Sequence, residues 1–174
     1  MMNKIRLILI GAVLLLTTCT PRHKGTNVDS ELYDIYIEFL EDCEDHGINI
    51  DEYPRLSNLR KKVMSEETVG ICISDEILFY KYRNVYVSES INDDFLLKFI
   101  AYHEMGHCIF NLPHDSTDEI RIMTSEINVL NRDKYVEHWD ELRYYYFMKI
   151  KEGQKSTLGT KSNCKIILDE KDKN

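Results

Sequence analysis

The chain has 174 residues, 43% hydrophobic and 30% charged, with 22 basic against 30 acidic side chains and a formal charge of −8 at pH 7. That length suits one domain with a sizeable core, and no internal repeat or second domain is visible. So acidic a balance argues against nucleic acid as a partner and gives anionic lipid surfaces no electrostatic hold on the chain.

The N-terminus carries Lys4 and Arg6, then an apolar run from Leu7 to Leu16, then Thr17-Thr18-Cys19. The run is too short to span a bilayer and has the shape of a signal-peptide core, so residues 1–18 are expected to be removed on export. A cysteine directly after Leu16-Thr17-Thr18 resembles a bacterial lipobox, with Thr18 in place of the usual Gly, Ala or Ser. The resemblance implies lipidation of Cys19 and a place in the bacterial cell envelope, anchored to the membrane and facing the periplasm or the exterior. Without residues 1–18, 156 residues remain, with 20 basic against 30 acidic side chains and a charge of −10. Residues 19–30, polar and broken by Pro21 and Gly25, read as a tether.

Asp29-Ser30 caps a first predicted helix with Leu32, Ile35, Tyr36, Phe39, Leu40 and Cys43 on one face and Gly47 as its stop. Residues 48–66 are ambiguous and broken at Pro54; the spacing of Leu56, Leu59 and Val63 hints at a short second helix. Val69, Ile71 and Ile73 alternate as a strand, as do Ile77 with Phe79 and Val85 with Val87, with Asn84 marking a kink or turn before the last pair.

Asn92-Asp93-Asp94 supplies the N-cap of a strongly patterned helix, with Leu96, Phe99, Ile100, His103, His107 and Phe110 at three-to-four spacing. Within it lies His103-Glu104-Met105-Gly106-His107, an HExxH motif. Residues four apart share a helix face, so both imidazoles can reach one metal ion, and Glu104 lies one step round, where its carboxylate can deprotonate a metal-bound water. Neutral imidazoles suit Zn²⁺, and two of them with a third protein ligand leave a fourth position open for that water. The metal lowers the water's pKa to roughly 7 and polarises a carbonyl, which peptide hydrolysis at neutral pH requires.

Downstream stands Cys108-Ile109-Phe110-Asn111-Leu112-Pro113-His114-Asp115, with Met123 in Arg121-Ile122-Met123-Thr124. Over residues 103–123 the chain resembles the metzincin clan of zinc peptidases, whose motif HExxHxxGxxH is followed by a tight turn with a methionine under the metal. The resemblance implies His103, His107 and His114 as zinc ligands, Glu104 as catalytic base and Met123 as the turn methionine. It departs from the clan in having six residues instead of five between the second and third histidines, and no glycine. Asn111 stands three residues before His114, at the offset of the clan's glycine, and asparagine tolerates the left-handed turn that ends the helix there. Asp115, Asp118 or Glu119 are alternative third ligands. So are Glu137 or Glu141, if the third ligand comes from a later helix as in the gluzincin clan. The clan's strand before the active-site helix is a sheet edge that pairs with extended substrate; here that would be residues 84–88. Tyr135 and His138 are the candidates for stabilising an oxyanion.

Cys43, Cys72, Cys108 and Cys164 remain in the mature chain, and an exported protein allows them two disulfides in any of three connectivities. Cys108 points about 100° away from His107 and reads as packed or bridged, not as a ligand. Asp133 starts a final helix with Tyr135, Trp139, Leu142, Tyr146, Phe147 and Ile150 inward and Gly153 ending it; Tyr144 and Tyr145 add to an aromatic density that reads as core. Residues 154–174 are a polar tail, within which Cys164 and Ile166–Leu168 are candidates to dock as one edge strand.

The expected architecture is α+β: a small zincin-like domain over 31–153, with a short mixed sheet packed on the active-site helix and a C-terminal helix. The expected function is a monomeric, lipid-anchored zinc endopeptidase acting on peptide or protein substrates. A gluzincin-type peptidase and a non-catalytic zinc-binding lipoprotein are the alternatives. No prodomain is recognisable ahead of the domain.

Overall fold

The computed structural model of the chain describes residues 25–77, 80–116, 120–128, 131–153 and 162–167, of which 75–77, 80–82 and 162–167 are described by backbone alone. The signal, Cys19 and most of the tether lie outside these residues. The chain joins the fold earlier than its composition suggests. Asn27–Val28 (β1) pairs in parallel with β2 (Leu56–Lys62), and the Thr26 hydroxyl donates to the Leu56 carbonyl at 2.8 Å. The last residues of the expected tether therefore belong to the domain.

Helix α1 (Ser30–Asp45) buries Leu32, Tyr36, Phe39 and Cys43, as its spacing predicts, and Asp42 with them. Asp29 sits at its N-cap position but does not cap it; its carboxylate accepts instead from the Lys61 amide at 2.8 Å, pinning the helix start to β2. Gly47, at φ +67°, turns the chain away, and a 3₁₀ turn follows at Ile50–Glu52.

The predicted short helix around Leu56–Val63 is the strand β2. Leu56 and Leu59 are both fully buried, and three-residue spacing on one face is a helical signature. A strand produces the same spacing only when its alternation is interrupted. The pairing of β2 with β4 shifts register between Leu56 and Asn58, which brings both leucines inward. Val63 lies beyond the strand and is exposed.

β3 (Thr68–Ile77) and β4 (Tyr80–Ser88) form an antiparallel pair, and Asn84 lies within β4, not at a turn. Its side-chain oxygen accepts from the Asn58 amide at 2.6 Å. After α2 (Asp94–Phe110) come β5 (Glu126–Asn128), α3 (Arg132–Glu137), α4 (Trp139–Lys151) and β6 (Ser162–Ile167). The mixed sheet runs β1-β2-β4-β3-β6-β5. Residues 84–88 are thus not a sheet edge. β4 is central, between β2 and β3, because the segment read as a helix is the strand that covers it. β6 is internal as well, between β3 and β5.

The fold is α+β. Leu59 pairs beside Val85, and Val85 opposite Cys72, so these residues share a sheet face; all are buried, with α2 across them. A disulfide between Cys72 and Cys108 joins β3 to α2, their Cα atoms 5.4 Å apart, and Cys43 is a buried free thiol. Helices α1 and α4 pack on α2: Phe39 meets Tyr102 edge-on at 5.3 Å, and the Tyr146 hydroxyl donates to the Tyr102 carbonyl at 3.0 Å. The predicted last helix is interrupted at His138, and Tyr144 and Tyr145 are exposed, so the aromatic run there is only partly core. Among the described residues no helix is long and apolar enough to cross a membrane.

Candidate metal centre

Helix α2 starts where its cap residues predict. The Asp93 carboxylate accepts the Leu96 amide at 2.9 Å through one oxygen and the Arg132 guanidinium at 2.7 Å through the other. The helix then runs unbroken through the motif, burying His103 and Glu104 completely. His103 and His107 stand one turn apart with Nε2 atoms 2.9 Å from each other.

The helix ends at Asn111, at φ 52° and ψ 36°, the left-handed conformation its position demands. The Leu112 amide then donates back to the Gly106 carbonyl at 3.1 Å. This reversal returns His114 to the helix, its Nε2 3.2 Å from that of His103 and 3.0 Å from that of His107. The next residue holds the loop in place: the Asp115 amide donates to the Met123 carbonyl at 2.7 Å, and its carboxylate meets the Lys149 ammonium from α4.

The protonation states follow from the partners. Nδ1 of His103 lies 2.6 Å from the Ile122 carbonyl and Nδ1 of His107 lies 2.6 Å from the Leu112 carbonyl. A carbonyl only accepts, so each Nδ1 carries the proton and each Nε2 presents a bare lone pair. Burial opposes a second proton. It holds His103 far below the usual imidazole range, helped by the neighbouring His107, and lowers His107 to about 4. His114 is lowered too, again chiefly by burial. Neutral imidazoles whose lone pairs converge at about 3 Å repel one another unless a cation lies between them. The three histidines can hold one metal ion.

Two glycines let the surroundings close on this site. A Cβ at Gly70 of β3 would lie 2.7 Å from the Glu104 Oε1 atom and 2.8 Å from an Ile100 methyl, so the strand backbone packs directly on the Glu104 carboxylate. A Cβ at Gly106, inside the motif, would lie 2.7 Å from the Met123 sulfur and 2.9 Å from the Tyr146 hydroxyl. Met123 thus sits against the helix between the two histidines, fully buried. No side chain hydrogen-bonds either Glu104 oxygen among the described residues, and burial raises the carboxyl's pKa well above the usual range, only partly offset by the Cys72 backbone amide. Sequence reading passed over Gly70, although a glycine inside a strand pattern is itself a sign of close backbone approach.

The other candidates fall elsewhere. Glu137 and Glu141 are exposed and do not join the histidine group. Tyr135 is buried against Phe99, and His138 is exposed beside Glu141. Asp118 and Glu119 lie outside the described residues. No family model, characterised protein or solved structure matches this chain.

Proposed function

We propose that the protein is a zinc-dependent endopeptidase of metzincin-like type, held outside the cytoplasm by a lipid on Cys19. The observation that carries the reading is the convergence of three imidazole Nε2 atoms 2.9–3.2 Å apart beside a buried glutamate that no side chain pairs. One face of a tetrahedron with zinc–nitrogen bonds of 2.0–2.1 Å has edges of about 3.3 Å, close to these separations. A zinc ion bound there would lower the pKa of a water to roughly 7 and polarise a peptide carbonyl.

The chain's own residues do the rest. The Ile122 and Leu112 carbonyls hold the His103 and His107 rings in the tautomer that ligates. Glu104 takes the proton from the attacking water and returns it to the leaving amine. Burial raises its proton affinity toward the range such a shuttle needs. A closed structural metal site has no use for a buried carboxylate that no cationic side chain neutralises, which favours catalysis over a purely structural zinc.

The test is metal analysis with a hydrolysis assay on the mature chain. About one zinc per chain is expected, and a His103→Ala/His107→Ala double variant should lose it. Glu104→Ala should retain zinc while hydrolysis of an unfolded protein falls by about 10²–10⁴-fold. Activity within a few-fold of the parent would remove Glu104 from its role.

A further inference from the structure

Beside the strand that packs on Glu104 lies β6, residues 162–167. β6 lies between β3 and β5, antiparallel to the first and parallel to the second, and among the described residues it is the only strand joining them. Its register sets it beside the part of β3 that packs on Glu104. Cys164 pairs with Gly70, the glycine that packs on the Glu104 carboxylate, and Ser162 pairs with Cys72, which is bridged to Cys108 beside His107. β5, on the other flank, leaves the loop that carries Met123 and the Met123–Asp115 hydrogen bond.

We propose that β6 is an autoinhibitory strand: residues 162–167 occupy the slot between β3 and β5 in which an extended peptide would bind, and their withdrawal opens the site. The inference rests on the peptidase reading above. Without β6, β3 would present a free row of amides and carbonyls along Thr68–Cys72 beside Glu104, and β5 a second, short row along Glu126–Asn128 that continues past it, the two overlapping only at the position of Lys165. Main-chain donors and acceptors offered first by β3 and then by β5 bind extended backbone with little demand on side chains. Open strand edges of this kind are covered in native proteins, and here residues 162–167 are the cover. Because the cover is tethered, it competes at an effective concentration on the order of millimolar, enough to exclude weakly bound peptide. Its partners are strands; no helix makes extensive contact with it, so its release leaves the core of α1, α2, α4 and the central strands intact.

Two experiments test this. In the native-state hydrogen exchange of the unmodified full chain, β6 amides should exchange at least about 100-fold faster than those of the β3–β4 ladder, as a separately opening unit does. Equal protection would make β6 an ordinary sheet strand and overturn the proposal. The second compares the zinc-loaded full chain with its Asn163→Pro/Ile166→Pro variant, in which one proline falls on each alternating side of β6 and removes an amide there. Both are read in a Glu104→Ala background for binding of a fluorescent extended peptide, and with Glu104 present for hydrolysis. At least about tenfold tighter binding and faster hydrolysis in the proline variant would uphold it. Tighter binding with no hydrolysis by either chain would uphold the masked slot while removing the peptidase reading. Hydrolysis by both at equal rates, with equal peptide binding, would overturn the masked slot and leave the peptidase. Should the proline variant not fold, the exchange measurement on the unmodified chain decides alone.

Discussion

Gly70 shows how a residue without chemistry of its own can position one that has it. Its missing side chain lets β3 rest on Glu104, so Gly70→Ala should drive a methyl to within 3 Å of the carboxylate and of Ile100. A stability loss of about 1–3 kcal/mol in urea unfolding is expected, with hydrolysis falling further than global unfolding explains. Asn111 is the corresponding backbone device for His114. Among the described residues it is the one non-glycine with positive φ. Asn111→Gly should keep metal and stability, whereas Asn111→Val should lose about 1–3 kcal/mol and weaken metal binding, because a β-branched residue resists this conformation. His114→Ala should weaken zinc binding by more than the roughly 10–100-fold typical of losing an outer partner. Unchanged zinc affinity in that variant would return the third-ligand question to Asp115, Asp118 and Glu119. The HExxH pair was legible from spacing, and the asparagine turn and His114 from the resemblance to the metzincin motif. The carbonyls that orient the rings were not, because Ile122 and Leu112 are brought to the histidines by the loop's path and not by any side-chain type.

At the scale of elements, the disulfide and β2 matter most. Cys72–Cys108 crosslinks β3 to α2 immediately beside His107 and spans 36 residues. Chain-entropy reasoning gives such a loop about 3–4 kcal/mol. Replacing both cysteines with serine, or reducing the bridge, should lower the unfolding free energy by about that amount and loosen β3 over Glu104. Urea titration with and without reductant reads the first effect and zinc affinity the second. A loss below about 1 kcal/mol would mean that packing alone holds β3 in place. Helices α1 and α2 were readable because a continuous apolar stripe has one period. β2 was not, because its register shift imitates that period over a few residues. One misread strand carried a second error with it, since β4 looks like an edge only if β2 is missing.

Across the whole molecule, a polar network ties the helical layer together. The Tyr102 hydroxyl donates to Asp42 at 2.7 Å, and Arg143 of α4 reaches Asp42 at 3.0 Å, so one carboxylate joins α1, α2 and α4. Burial pushes the Asp42 carboxyl up, against the pull of Tyr102 and Arg143, so removing it leaves two donors without their acceptor. Asp42→Ala should cost about 2–3 kcal/mol in thermal or urea unfolding, with zinc stoichiometry unchanged in the folded fraction. At the other end of the chain, Cys19→Ser should abolish labelling by a palmitate analogue in cells and move the protein from the membrane to the soluble fraction. Unchanged labelling would reject Cys19 as the anchor.

The amino-acid order by itself determined the helix that carries the motif and its cap at Asp93, and through the metzincin resemblance the left-handed stop at Asn111 and the candidate ligand set. Each of these depends on residues within about a dozen positions, where local sequence is enough. Tertiary structure alone decided which strands are neighbours, which cysteines meet, what packs on Glu104, and that the last strand enters the sheet between β3 and β5. These are contacts between segments tens of residues apart, and they are chosen by which backbone rows and apolar faces remain unpaired once the rest of the chain has folded.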